Sequence, residues 1–331
     1  MKRRNLIALV SSLAMAWPFA CYAQQTQPEP PKRIGVLTQN ECPISSDWVG
    51  TRRLAELGWV AGQNIVFDCV SAVGRIDQVP ALARELVSRR PDVLIAGPYH
   101  FLTALKQETA TIPIVMLTAW EPVRLGLITS FAQPGGNVTG VAWFGLLPKQ
   151  MELLKEIVPN LRRVASVTGV VGVAYSPPEV AKIAEEDRQF AAGALGITWQ
   201  RFPAIAASDY DEIFARLVAE HFDAAYIPGS PFNTNNGTRI CQLALRHKIP
   251  TIGDESGWAR CGLLLTYGQD YRWSVAHAMG YVDKILRGAK PSELPVEQAT
   301  KVDLEINLKT AKTLGLTVPQ SLLVGANEVI E

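Results

Sequence analysis

Gln133-Pro134-Gly135-Gly136-Asn137-Val138-Thr139-Gly140-Val141 decides the reading of this chain. A Pro-Gly-Gly turn followed by a short Val-Thr run reads as a strand leaving one sheet for another. An ordinary surface turn is the plainer reading. A glycine-rich phosphate loop is disfavoured, because no Gly-x-x-x-x-Gly-Lys-Ser/Thr follows. Asn137-Val138-Thr139 matches the glycosylation sequon, a frequent chance match.

Outward from this turn the chain reads twice. Upstream, Arg33-Ile34-Gly35-Val36-Leu37-Thr38 is a short apolar run, a buried strand. Ser45-Ser46-Asp47 caps a helix that stops at Leu57-Gly58, and Asn64-Ile65-Val66-Phe67-Asp68-Cys69 is a second strand. Asp77 caps a helix whose Val79, Leu82, Leu86 and Val87 share one face. Residues 92–96 and 112–117 are two further strands. Downstream, 163–167 echoes 33–37 at an offset of 130, and Leu195-Gly196 echoes Leu57-Gly58 at 138. Phe222-Asp223 echoes Pro91-Asp92 at 131, and Lys248-Ile249-Pro250-Thr251 echoes Thr111-Ile112-Pro113-Ile114 at 137. Each echo alone is what any strand-rich chain produces. Four in the same order at nearly one offset predict an α/β protein of two similar, doubly wound parallel-sheet lobes.

The tail does not extend the repeat. Residues 262–268 read as a strand, 271–287 as a helix ending at Gly288, and 301–306 as a strand with Val302, Leu304 and Ile306 on one face. A short helix carries Leu308, Ala311 and Leu314. Two further crossings near Tyr267 and Pro295 accommodate this. Residues 32–140 plus 268–294 then form lobe 1, and 141–267 plus 295–331 lobe 2. A three-stranded hinge joins them, with Gly140, Tyr267 and Pro295 in it.

The N-terminus reads as a secretory signal over residues 1–23, cleaved after Ala23, with 24–31 as a linker. Lys2, Arg3 and Arg4 precede an apolar run at 6–16, and Cys21-Tyr22-Ala23 offers small residues to a signal peptidase. The alternative is an N-terminal membrane anchor. Removing 1–23 takes away three basic and no acidic residues, leaving 29 Lys+Arg against 31 Asp+Glu, a net charge of −2. No basic stripe or tail points to nucleic acid. Four cysteines remain, an even number that suits disulfides in an oxidising compartment. Four cysteines allow three pairings. Cys42 and Cys69 each follow an early strand, and neighbouring parallel strands end at one edge, so the expected pairs are Cys42–Cys69 and Cys241–Cys261.

In open parallel sheets, ligands bind beyond the carboxyl ends of the strands, where helix N-termini offer free N–H groups. The repeat names the cleft loops: 39–46, 98–101 and 118–124 in lobe 1, and 168–176, 230–234 and 254–258 in lobe 2. Tyr99, Phe101, Trp120, Tyr175, Phe232 and Trp258 offer apolar walls; Glu121, Asp254 and Glu255 suit a ligand ammonium. Taken singly, such an aromatic is lobe packing and such an acid is solvated surface. Their concentration in matched loops is what points to a site. The candidate ligand set is Gln39, Tyr99, His100, Trp120, Glu121, Thr168, Ser230, Phe232, Asn233, Asp254 and Tyr267. There is no Gly-x-Ser-x-Gly, His-Glu-x-x-His, Cys-x-x-Cys or Gly-x-Gly-x-x-Gly. No catalytic residue, cofactor or metal is expected.

Several motifs carry a family resemblance: Leu57-Gly58-Trp59-Val60-Ala61-Gly62-Gln63-Asn64-Ile65, 134–140, Gln150-Met151-Glu152-Leu153-Leu154-Lys155-Glu156, 281–291, Leu294-Pro295-Val296-Glu297-Gln298 and Asn307-Leu308-Lys309-Thr310-Ala311. The chain resembles the ABC-transporter substrate-binding proteins of the type that includes tryptophan- and tyrosine-binding members. The resemblance implies a type I periplasmic-binding-protein fold, a small-molecule ligand in the interlobe cleft, a membrane permease as partner and a monomeric periplasmic protein. Its departures fall in the cleft: Glu121-Pro122-Val123 stands for Asp-Pro-Val, and Thr168-Gly169 for Asn-Pro. A periplasmic sensor subunit is the alternative, and an exported hydrolase a further one.

Overall fold

The computed structural model describes residues 30–97, 99–169 and 178–331. The expected signal segment and linker at 1–29, Pro98 and Tyr175 therefore lie outside the described residues. Chain order begins β1 (Lys32–Thr38), α1 (Val49–Glu56), β2 (Ile65–Ser71), α2 (Val79–Ser88), β3 (Val93–Ala96), α3 (Tyr99–Glu108), β4 (Ile114–Trp120), β5 (Val138–Trp143). It continues α4 (Leu147–Ile157), β6 (Arg163–Gly169), α5 (Pro178–Leu195), β7 (Thr198–Ala204), α6 (Asp209–Ala219), β8 (Ala224–Ile227), α7 (Pro231–Asn235), α8 (Gly237–His247), β9 (Thr251–Gly253), α9 (Trp258–Cys261), β10 (Leu265–Gln269). The tail adds α10 (Tyr271–Leu286), β11 (Glu297–Gln298), β12 (Val302–Asn307), α11 (Leu308–Leu314), α12 (Gln320–Gly325) and β13 (Glu328–Ile330).

The strands form two sheets, ordered β11-β5-β4-β3-β1-β2 and β13-β12-β10-β9-β8-β6-β7. Omitting the tail strands, each runs 2-1-3-4-5, so the repeat read from the sequence is a repeat of topology. Pairing is parallel throughout except β10–β12, where Leu265 faces Ile306 in antiparallel register. Each sheet is covered on both faces, as its near-continuous apolar strands require. Leu82, Leu86, Phe101 and Leu105 of α2 and α3 pack on one face of sheet 1, and Leu54, Ala278, Met279 and Val282 of α1 and α10 on the other. On sheet 2, α6 and α8 cover one face through Phe214, Leu217 and Leu243. Met151, Leu154, Ala192 and Ala311 of α4, α5 and α11 cover the other.

Some local expectations shift. Trp48, not the Ser45-Ser46-Asp47 cluster, is the N-cap of α1, and Asp77 lies in a 3-10 turn before α2. The strand expected from Gly262 starts at Leu265, because Gly262, at φ +125°, turns the chain out of α9. The expected lobe boundaries at 140, 267 and 294 fall inside β5, inside β10 and just before β11. The chain passes between sheets at 144–146, at 270 and at 299–301. The three passages are bonded to one another. Gln269 Nε2 donates to the Phe144 carbonyl at 3.3 Å, Asp270 N to the Lys301 carbonyl at 3.1 Å, and Lys301 Nζ to Asp270 Oδ2 at 2.6 Å.

Two disulfides close the pairs Cys42–Cys69 and Cys241–Cys261, each with a Cα separation of 5.9 Å. The first ties the loop after β1 to β2, and the second ties α8 to α9. No helix among the described residues is long and apolar enough to cross a membrane.

Gly140 sits in the middle of β5 opposite Met116, at φ +127°. A Cβ there would overlap the Met116 carbonyl and stand 2.6 Å from its nitrogen. Close strand approach therefore demands a glycine here, and the backbone conformation suits no other residue. Gly140→Ala is expected to lower stability by about 2–4 kcal/mol, through strain plus overpacking. Chemical denaturation, read as the urea midpoint against wild type, checks this.

Candidate functional site

The carboxyl ends of β1, β3 and β4 in sheet 1, and of β6, β8 and β9 in sheet 2, carry the candidate loops. In lobe 1, Gln39 Nε2 lies 3.2 Å from His100 Nε2, joining the loop after β1 to the first turn of α3. Burial pushes His100 down to about 4, so the imidazole is neutral at ordinary pH. Tyr99 donates its hydroxyl to the Leu125 carbonyl at 3.2 Å. Trp120 ends β4 half-buried, its Nε1 4.0 Å from where a Cβ on Gly145 would stand, beside the first passage. Glu121 follows in the left-handed region at φ +46°, a conformation uncommon for glutamate and found preferentially at functional sites.

In lobe 2, Asp254 is held by the Tyr226 hydroxyl at 2.8 Å and by the Gly229 N–H. Burial pushes its carboxyl up to about 6, while these hydrogen bonds oppose the rise. Glu255 accepts from Thr234 Oγ1 at 2.7 Å, and burial raises its carboxyl too. Thr168 is buried at the end of β6, and its Oγ1 has no hydrogen-bond partner among the described residues.

Other expected ligand residues are occupied elsewhere. Asn233 is fully buried: its Oδ1 accepts from Tyr210 at 2.6 Å, and its Nδ2 donates to the Val167 and Pro228 carbonyls at 3.0 and 2.8 Å. Its amide is consumed in tying α7 to β6 and β8. Ser230 caps α7, its Oγ accepting from Asn233 N at 3.1 Å. Phe232 stacks on Tyr210 with ring centroids 6.0 Å apart. Tyr267 packs half-buried on the lobe-2 core, and its carbonyl accepts from Gln150 Nε2 at 2.7 Å. Pro295 is exposed, with its carbonyl held by Tyr281 at 2.6 Å. Phe101 and Trp258 are buried in the lobe cores: Phe101 lies in the first turn of α3 and Trp258 at the first position of α9, both turned to the apolar side.

Sequence reasoning missed four groups. Trp48, the N-cap of α1, packs on the lobe-1 core that α10 also covers, and Tyr271 at the start of α10 feels the charge of Glu255 in the other lobe. Burial first, and Glu255 as well, hold the Tyr271 hydroxyl above its ordinary pKa. Arg124, just past Glu121, reaches across to α5: Nη1 meets Asp187 Oδ1 at 3.0 Å and Nη2 meets Glu186 Oε2 at 3.3 Å. Glu305 of β12 is buried and accepts from Ser256 Oγ (2.7 Å), Gly257 N (2.8 Å) and Thr266 Oγ1 (3.0 Å), fixing the loop that carries Asp254 and Glu255. Tyr271 and Arg124 stand a few residues past the ends of β10 and β4, whereas Trp48 and Glu305 carry no such positional signal.

Among the described residues, no group of three or more His, Cys, Asp or Glu side chains is arranged to hold a metal. The cleft thus offers aromatic surface, neutral polar groups and carboxylates, a set suited to holding a small solute.

Comparison with known proteins agrees with this geometry. A curated tyrosine-binding protein from Clostridioides difficile is 26% identical over 266 residues, covering 80% of this chain and 75% of the relative. A conserved domain protein from Vibrio cholerae superposes with a TM-score of 0.78 at 27% identity, over 90% of this chain and 99% of that one. A ligand-free, open substrate binding protein with adhesive properties from Clostridium difficile gives 0.62 at 25% identity, over 90% and 99%. An ABC domain in complex with L-Trp from Streptococcus pneumonia gives 0.77 at 24% identity over 91% and 100%, a likeness of fold. The fold is that of the type I periplasmic binding proteins. The profile of one family covers residues 51–330, and the chain belongs to that family, the ABC transporter substrate binding proteins.

Proposed function

We propose that this protein is the exported receptor of an ABC importer, binding a small polar or aromatic, amino-acid-like solute between its lobes and delivering it to a membrane permease. The observation that carries this reading is the ion pair of Arg124 with Asp187 and Glu186, which joins the lobes across a cleft lined on both sides by strand-end loops. A clamp of this kind closes on a ligand by rotation about the bonded passages at 144–146, 270 and 299–301. The N-terminal basic and apolar segment and the two disulfides support export to an oxidising compartment. The tyrosine-binding relative supports an aromatic, amino-acid-like solute. The receptor acts as a monomer, with residues 32–143 plus 271–298 and 147–269 plus 302–331 as its moving bodies.

A thermal-shift screen over amino acids, amines and sugars tests this. A true ligand at 100 times its dissociation constant is expected to add about 2.7 kcal/mol of stability. The same ligand should shrink the radius of gyration in solution scattering. No stabilising solute and no compaction would overturn the receptor reading.

Arg124→Ala should weaken binding of that ligand about two- to fivefold, the scale of an exposed ion pair. The loss should appear as faster dissociation in stopped-flow, with the melting temperature of the free protein unchanged. High salt should erase the difference between variant and wild type.

A further inference from the structure

Among the described residues, Asp254 and Glu255 form a carboxylate pair without a salt-bridging counter-charge. They converge on Gly229, where a Cβ would stand 2.8 Å from Asp254 Oδ1 and 3.7 Å from Glu255 Oε2. The hydrogen-bond partners found for the two carboxylates, Tyr226, Gly229 N–H and Thr234, are neutral. Burial raises both carboxyl groups, and the charge of Asp254 raises Glu255 further.

The groups facing this pair from neighbouring elements do not balance it. Arg188 of α5 approaches Tyr226, but its Nε and Nη2 are bonded to Glu185 at 3.1 and 2.8 Å. From α10 comes the Tyr271 hydroxyl. Arg124, across the cleft, is taken by Glu186 and Asp187. His100 is neutral. The six cleft loops hold four acids, Glu41, Glu121, Asp254 and Glu255, against the single base Arg124, and residues 170–177 carry no charged side chain.

A second observation lies in the same row of sheet 2. Ser166 pairs with Tyr226, and Ile227 with Gly253. Thr168 is two residues past Ser166 and so on the face that carries Tyr226, and Asp254, one residue past Gly253, meets the Tyr226 hydroxyl at 2.8 Å. Thr168 is only 6% exposed, and its Oγ1 is unpaired among the described residues. Ser166 Oγ and Trp199 Nε1, on the same side, are also buried and without a partner among the described residues. Buried polar groups of native proteins have partners, so this row is built to receive one.

We propose that the cleft selects an organic cation: an amine or guanidine, carrying no free carboxylate, whose charged head sits at Asp254 and Glu255 while a neutral polar group of the same molecule satisfies Thr168. A zwitterion would bring a carboxylate into a cleft whose arginines are already paired. The inference rests on the receptor reading and names its ligand class.

Matched pairs test it by titration calorimetry at pH 7.5 and pH 5.0: L-tyrosine with tyramine, L-tryptophan with tryptamine, and L-arginine with agmatine. At least one amine should bind tenfold or more tightly than its parent amino acid. The cation binds the ionised carboxylates, so affinity should be full above the Asp254 pKa and fall by about tenfold on going to pH 5.0. Glu255→Gln and Asp254→Asn, checked for folding by circular dichroism, should each reduce both the preference and the pH dependence. An amino acid bound more tightly than its amine, with a flat pH response, overturns the cation inference and leaves the receptor standing. If no pair member binds and the wider solute screen is also empty, the receptor reading falls, and the inference with it.

Discussion

The three bonded passages are the constraint on which the rest of the molecule depends. Gln269 reaches the Phe144 carbonyl, and Asp270 and Lys301 hold each other through backbone and side chain alike. Three strands side by side allow rotation of one sheet against the other and resist sliding and shear. In the proposed receptor, that restriction turns two separate sets of strand-end loops into one site. Residues far apart in sequence then face each other in a repeatable geometry, as Arg124 does with Asp187 of α5, 63 positions further on.

Much of this architecture was legible because it is written locally. The two-sheet repeat rests on apolar runs of strand length and on Leu-Gly helix stops, and Gly58 and Gly196 do adopt the positive φ that such stops require. The Cys42–Cys69 disulfide followed from neighbouring parallel strands, and Cys241–Cys261 is the pair that remained. The cleft was legible only as loops. A strand-end position does not say which way a side chain turns: Phe101 and Trp258 turn into the cores with their helices, and Asn233 spends its amide on backbone carbonyls. Nor does it reveal distant partners. Glu305 and Arg124 gain their roles from groups on other elements, which no local pattern records.

The buried polar groups fall into two kinds. Asn233 and Glu305 have several donors or acceptors each and rigidify the loops around them. Such satisfied networks specify one arrangement of a site's scaffold. Thr168 and the Asp254–Glu255 pair are the reverse: Thr168 is buried and the two carboxylates half-buried, and among the described residues they are short of partners or of counter-charge. Lobe 2 thus sets a firm frame around a row left incomplete, while lobe 1 supplies the neutral Gln39–His100 pair and the aromatic Trp120 opposite.

The discontinuity of both lobes has a consequence for the order in which the chain can fold. Sheet 1 lacks one of its covering helices until α10 is made, and its β5 edge stays open until β11 follows. Sheet 2 lacks its β12 edge, and with it the Glu305 anchor of the carboxylate loop, until residues past 302 emerge. During synthesis, therefore, neither half can complete its core from the residues that lie first in the chain. Such a nascent polypeptide stays loosely organised until it is nearly finished, a property that suits the export proposed for it.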